Sequence, residues 1–240
     1  MEVIMQSKRF FTARNIAFLA VLVALIVVLQ LWGGNIRIGG TPLSFVLVPI
    51  VIGAVMLGPG AGALLGFLFG VITIVMGVLS DPFTQYLFAD NPAATIVLCL
   101  LKGTAAGLVP GLLYKLIARK NGYVGAVAAS LAAPVCNTGI FVVGCLLMSG
   151  TIGGFMQSVG SGGSVVYFVI IVMAGWNFVA EFIISAVLSP VVYTVVRVVG
   201  RSVGKKQSAA PAREPQAGEA VRAQRADGAE ERPSRKALQE

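Results

Sequence analysis

Apolar residues fill this chain in long blocks with few polar interruptions. The blocks run Thr12–Trp32, Ser44–Leu57, Gly60–Leu79, Pro92–Ala118, Gly122–Met148 and Tyr167 to about Val199. A run of about 20 apolar residues, rising 1.5 Å each, spans the hydrocarbon core of a bilayer. The pattern predicts six transmembrane helices in an all-α membrane protein. The second block is short for a span, so a tilted, irregular or protein-buried segment is expected there. Gly58-Pro59-Gly60 forms a tight turn between the second and third blocks, and Lys120-Asn121-Gly122 another between the fourth and fifth. Pro92 suits the first position of a helix.

Composition agrees with this pattern. Hydrophobic residues make up 57% of the 240 positions and charged residues only 12%, where soluble domains carry about 25% charged residues. Half of the charges lie beyond Ser202, where Ala, Glu, Arg, Gln and Pro take over. That composition cannot bury enough apolar surface to fold alone. The expected organisation is a membrane domain over residues 1–201 and a disordered cytoplasmic tail over 202–240. The run Ile16–Trp32 follows basic residues but is too long for a secretory signal and lacks a small-x-small cleavage site, so it reads as a retained first helix.

Basic residues set the orientation. With the N-terminus inside, the inner flanks hold Lys8, Arg9, Arg14, Lys115, Arg119, Lys120, Arg197, Arg201, Lys205 and Lys206. The outer connections hold Arg37 as their one basic residue, with Asp81 and Asp90. This is a positive-inside distribution with both termini cytoplasmic. The connections expected outside, Gly33–Leu43, Ser80–Asn91 and Ser149–Ser164, are the long ones. Long loops on one face suit lids over a site, and the Gly/Ser-rich last one is expected to be mobile.

The formal charge of +8 sits at span ends and in the tail, without a nucleic-acid-binding motif. The chain has no histidine, which removes the commonest metal ligand and general base. Three cysteines, Cys99, Cys136 and Cys145, fall within apolar blocks as small core residues. A phosphate-binding loop, a Gly-x-Ser-x-Gly elbow and a His-Glu-x-x-His pair are all missing. No catalytic residue, metal or cofactor is expected, and the chain is not expected to hydrolyse ATP itself.

Three patterns carry candidate function. Ala13, Ala17, Ala20 and Ala24 share one face of the first helix, suited either to internal packing or to a partner helix. Gly58, Gly62, Gly66 and Gly70 in the third block, with Gly103, Gly107 and Gly111 in the fourth, predict close helix packing. Lys102 and Glu181 are the two charges deep within spans, where charges usually face a bundle interior or cavity. They lie about 15 and 21 Å below their helices' outer ends, and Asn137 about 16 Å. Asn177 stands one turn above Glu181, and Thr138 and Trp176 adjoin these residues in sequence. The group reads either as an ion pair fixing helix register or as a polar pocket in which Lys102 meets a carboxylate.

Taken in order, these features resemble the substrate-binding S components of energy-coupling factor (ECF) vitamin transporters, over about Phe10–Arg201. The resemblance rests on the alanine steps, the stretch from Pro49 to Ala63, and Lys102 before its glycine ladder. It rests also on Asn137-Thr138-Gly139-Ile140-Phe141 and Asn177-Phe178-Val179-Ala180-Glu181, which look like the pantothenate-type branch. The resemblance implies a bacterial plasma-membrane protein that binds a water-soluble vitamin, pantothenate first, in a pocket built by helices four to six and capped by outer loops. It implies docking through the first-helix alanines on a transmembrane coupling subunit served by two ATP-binding cassette ATPases. An autonomous secondary transporter or channel, and a structural or regulatory membrane protein, are the other readings.

Overall fold

The computed structural model describes residues 13–33, 37–38, 41–42 and 45–208. Helix α1 (Ala13–Gly33) leads to a ribbon of two-residue strands, β1 (Arg37–Ile38) and β2 (Thr41–Pro42), paired antiparallel with Ile38 opposite Thr41. Helices α2 (Leu47–Leu57), α3 (Pro59–Ser80), α4 (Pro82–Asp90), α5 (Pro92–Ile117), α6 (Gly122–Leu147) and α7 (Ser149–Ser158) follow. The chain then enters α8 (Val165–Tyr167), passes through a π-helical stretch at Phe168–Gly175, and continues as α9 (Trp176–Ser208). Among the described residues, five helical segments are long and apolar enough to cross a membrane: Asn15–Gly33, α3, α5, α6 and Val165–Val198.

The expected second span differs. Its helix, α2, has 11 residues, about 16 Å of rise. That is roughly half a bilayer core. The chain before it is extended at β1 and β2 instead. Most of α2 is buried against protein, with Ile50, Val51 and Ala54 almost fully enclosed, so this segment has little need of lipid contact.

Local chemistry sets the boundaries. Gly58 joins α2 to α3 at φ +98°, a backbone conformation open to glycine but strained for other residues. Asp81, Asn91 and Asn121 cap α4, α5 and α6 by accepting hydrogen bonds from backbone N–H groups of the first turn. Pro82 and Pro92 then occupy positions where a helix has no N–H to lose.

The glycine ladders pack against each other. An added Cβ on Gly66 would collide with the Gly103 carbonyl oxygen, and one on Gly62 with that of Gly107. On Gly70 it would stand 2.7 Å from the Cys99 carbonyl oxygen. These rungs run antiparallel and bring the α3 and α5 backbones into direct contact. One apolar cluster joins α1, α2, α3, α5, α6 and α9 through residues such as Leu22, Ile26, Ile50, Leu65, Ala106 and Val192. A second gathers Phe83, Leu98, Cys145, Ile152, Phe155 and Phe168 toward the opposite end.

Two expected loops are partly helical. Within Ser80–Asn91 lies α4, started by Asp81 and Pro82. Within Ser149–Ser164 lies α7, whose Ile152, Phe155 and Met156 are buried. Apolar anchoring there overrides the helix-weakening glycines. Rings tie the pair together: Phe83–Phe155 at 5.1 Å and Tyr86–Phe155 at 5.5 Å, both edge to face. Thr151 Oγ1 adds a 2.6 Å hydrogen bond to Asp90.

The main compact unit ends at Val199, and Gly200 begins a second one of which residues 200–208 are described. Of the latter, α9 continues to Ser208, past the expected boundary at residue 202. The rest of the expected tail, and the flanking Lys8 and Arg9, lie outside the described residues.

Candidate functional site

A cavity of about 220 Å³ opens between the ends of the helices. Its walls come from one end of every long segment: Gln30 on α1; Phe69 and Thr73 on α3; Thr95, Cys99 and Lys102 on α5; Asn137, Thr138 and Phe141 on α6. Met173 and Ala174 of the π-helical stretch and Asn177 of α9 complete them. Helix α4 forms part of the lining through Asp81, Phe83, Thr84 and Leu87. The π-helical stretch is therefore wall material, and such departures from α geometry often occur at functional sites.

Four of the six expected site residues line this cavity: Lys102, Asn137, Thr138 and Asn177. Lys102 Nζ lies 5.2 Å from the centroid of the Phe141 ring, a cation–π contact that offsets part of the loss of water around the ammonium. Glu181 sits behind the wall, 1% exposed. Asn177 Nδ2 donates to Glu181 Oε1 at 3.1 Å. Trp176 is placed elsewhere: it is 66% exposed and not part of the lining. Adjacent positions on a helix are about 100° apart, so Asn177 facing inward turns Trp176 away.

Below the cavity the polar character continues. Asn177, Glu181, Ser185 and Ser189 are all buried, and their four-residue spacing puts them on one face of α9. Ser130 is buried on α6. Tyr123 meets Tyr193 edge to face at 5.4 Å, far from the level where Asn137 and Asn177 share the cavity, so α6 and α9 run antiparallel. Ser130 Oγ, Asn137 Oδ1 and Asn177 Oδ1 are enclosed without a hydrogen-bond partner among the described residues.

Sequence reasoning missed Asp81, Thr73, Thr84 and Thr95. Asp81 is 7% exposed; its Oδ2 accepts from Thr84 N at 3.0 Å and from Thr84 Oγ1 at 2.7 Å. Among the described residues, Asp81 and Lys102 are the charged members of the lining. Asp81 before Pro82 was a readable capping signal. Nothing in the sequence shows that the cap also faces a cavity.

The alanine stripe lies on the outside. Ala13, Ala17, Ala20 and Ala24 are all exposed, whereas Leu22 and Ile26 of the same helix are buried in the core. The alanines therefore do not serve as core packing within this chain.

A family model described as "ECF transporter, substrate-specific component" matches residues 14–193. The chain belongs to this family. It is a family of transporter components rather than enzymes, and its members work with ECF transmembrane and ATPase subunits. With five apolar segments long enough to cross a bilayer, the chain is a multi-pass membrane protein. It is also 26% identical over 151 residues to the pantothenic acid transporter PanT of Lactococcus lactis subsp. cremoris (strain MG1363). That alignment covers 58% of this chain and 76% of the relative.

Proposed function

We propose that this S component captures pantothenate, a small hydroxylated carboxylate, for ATP-driven uptake. The observation that carries the reading is Lys102: a cation deep in an apolar helix, lining a cavity with amide side chains beside it. Lys102 takes the carboxylate through charge-assisted hydrogen bonds. Asn137, Thr138 and Asn177 contact the remainder, and Glu181 fixes the Asn177 amide from behind. Trp176 is left outside the site. The similarity to a pantothenic acid transporter supports the same ligand.

In this reading the chain crosses the membrane six times, with α2 as the short, protein-covered crossing and both termini cytoplasmic. The even number keeps all the basic flanks inside and places the cavity at the outer end. Residues 1–201 form the binding domain, and 202–240 extend from it into the cytoplasm. The exposed face of Ala13, Ala17, Ala20 and Ala24 admits a close-packed helix of the coupling subunit, and two ATP-binding cassette ATPases supply the energy.

The test is pantothenate binding by calorimetry to purified wild type and Lys102→Met. Hydrogen bonds to charged groups contribute about 1.5–3 kcal/mol, so affinity should fall roughly 10- to 150-fold. Unchanged affinity in the Met variant refutes the assignment.

A further inference from the structure

The Lys102 ammonium sits at the end of a flexible four-carbon stem. Its neighbour Gly103 packs its backbone against Gly66, which fixes the Lys102 Cα but leaves the stem free to swing. A long cationic side chain in an apolar helix reaches for water where it can. An ammonium that keeps one place in the cavity wall therefore needs an anchor of its own.

The geometry supplies one in Phe141. Lys102 Nζ lies 5.2 Å from the centroid of that ring, within the range over which the negative face of an aromatic ring attracts a cation. A ring attracts the ammonium without neutralising it, so the charge stays available to a ligand carboxylate. Phe141 stands one turn beyond Asn137 on α6, and both line the cavity. The ring is itself held. Phe83 of α4 meets it at 6.1 Å and 63°, and Phe155 of α7 meets Phe83 at 5.1 Å and 80°. Phe83 is buried. Three aromatic side chains thus lead from the packed cluster under α4 and α7 to the cation on α5.

We infer that Phe141 is a positioning residue for ligand binding: its ring holds the Lys102 ammonium in the cavity wall, ready for a ligand carboxylate. The inference rests on the proposed carboxylate binding at Lys102 and adds what keeps that cation in place. A group ordered before the ligand arrives does not have to be ordered at the expense of affinity. Without the ring the stem disperses over its rotamers, and binding bears that cost. Contacts with the uncharged part of the ligand do not depend on the ammonium. The mark of this role is a loss of preference for the charged ligand rather than a general loss of binding.

The experiment compares pantothenate with pantothenyl alcohol, in which a hydroxymethyl group replaces the carboxylate. Both are titrated into wild type, Phe141→Leu, and protein with a polyfluorinated phenylalanine at position 141. Leucine removes the ring. Fluorination keeps the ring's shape and drains its negative face, so it carries the test if leucine prevents folding; thermal unfolding checks each variant. Wild type should prefer pantothenate by roughly tenfold or more. Both variants should narrow that preference by about threefold or more, and should bind pantothenyl alcohol within about twofold of wild type. In a Lys102→Met background the same changes at position 141 should alter neither affinity by more than about twofold.

Wild type that prefers pantothenate, with variants that keep the whole preference, overturns the inference and leaves the carboxylate reading intact. Equal loss of both ligands in the variants assigns the ring to packing and also overturns it, as does an undiminished effect without Lys102. Wild type that binds the two ligands equally refutes carboxylate binding at Lys102 and the inference with it.

Discussion

Gly70→Ala tests the contact that fixes the cavity walls. An alanine Cβ there would stand 2.7 Å from the Cys99 carbonyl oxygen and 3.0 Å from Leu100 Cα. Ordinary van der Waals contact begins near 3.4 Å, so the first contact is about 0.7 Å too short. Both obstructing atoms are backbone and cannot rotate aside. Helices α3 and α5 must therefore separate or tilt, while the Gly66–Gly103 and Gly62–Gly107 rungs hold them together below. Overpacking of this kind destabilises by about 1–3 kcal/mol. In a chain of this size that is a fall of several degrees in unfolding temperature, at about 2–4 °C per kcal/mol. The same rung carries Phe69 and Thr73 on one side and Cys99 and Lys102 on the other, all cavity lining. Pantothenate affinity should drop along with stability. Gly139→Ala is the control: that glycine is exposed in the middle of α6, and its Cβ would meet nothing within 4 Å. There alanine should leave stability unchanged or raise it by up to about 1 kcal/mol. Fluorescence-detected unfolding in detergent, with calorimetry for affinity, reads both variants. Equal behaviour of the two substitutions would refute the reasoning, because it would show that backbone contact at the ladder is not what glycine provides.

Two further outcomes are expected. Phe155→Ala removes a buried ring that contacts Phe83, Tyr86 and Phe168. A Phe→Ala change in a packed cluster destabilises by about 3–5 kcal/mol, and here the loss should loosen α4 and α7. Ligand dissociation should accelerate while amide exchange in α3 and α5 stays slow; an unchanged off-rate would contradict a lid role. Ala20→Leu lies on the exposed face of α1. It should leave ligand affinity within about twofold, since surface changes usually stay within about 0.5 kcal/mol. It should reduce uptake by cells carrying the complete transporter; full uptake would remove the alanines from the docking surface.

Much of this arrangement was legible in the sequence because lipid imposes simple rules. A charge such as Lys102 inside an apolar run must face something other than hydrocarbon, and it lines the cavity. The glycine ladders announced the α3–α5 contact because small residues at four-residue spacing have few other uses. Other features were hidden for physical reasons. Trp176 adjoins Asn177 in sequence but faces the other way. Glu181 was read either as an ion-pair partner of Lys102 or as part of a polar pocket, and it lies behind Asn177. Helices α4 and α7 were missed because they are short and α7 is rich in glycine; tertiary burial of Phe83, Ile152 and Phe155 stabilises them. Thr73, Thr84 and Thr95 also line the cavity, and nothing in the sequence sets them apart from other threonines in apolar helices.

The two ends of the bundle show how one chain combines a fixed site with an opening one. At one end α1, α2, α3 and α5 share an apolar core stitched by backbone contact. Core groups packed that tightly resist displacement. At the other end α4 lines the cavity and is held to α7 by rings and by the Thr151–Asp90 hydrogen bond. Contacts made by a few aromatic rings can be broken and remade without disturbing a backbone ladder. Lys102 stays on a helix that the glycines pin. The buried column of Asn177, Glu181, Ser185 and Ser189 belongs to the α6–α9 side, away from that ladder. The α3–α5 contact is thus where a change of state in the bundle meets the most resistance.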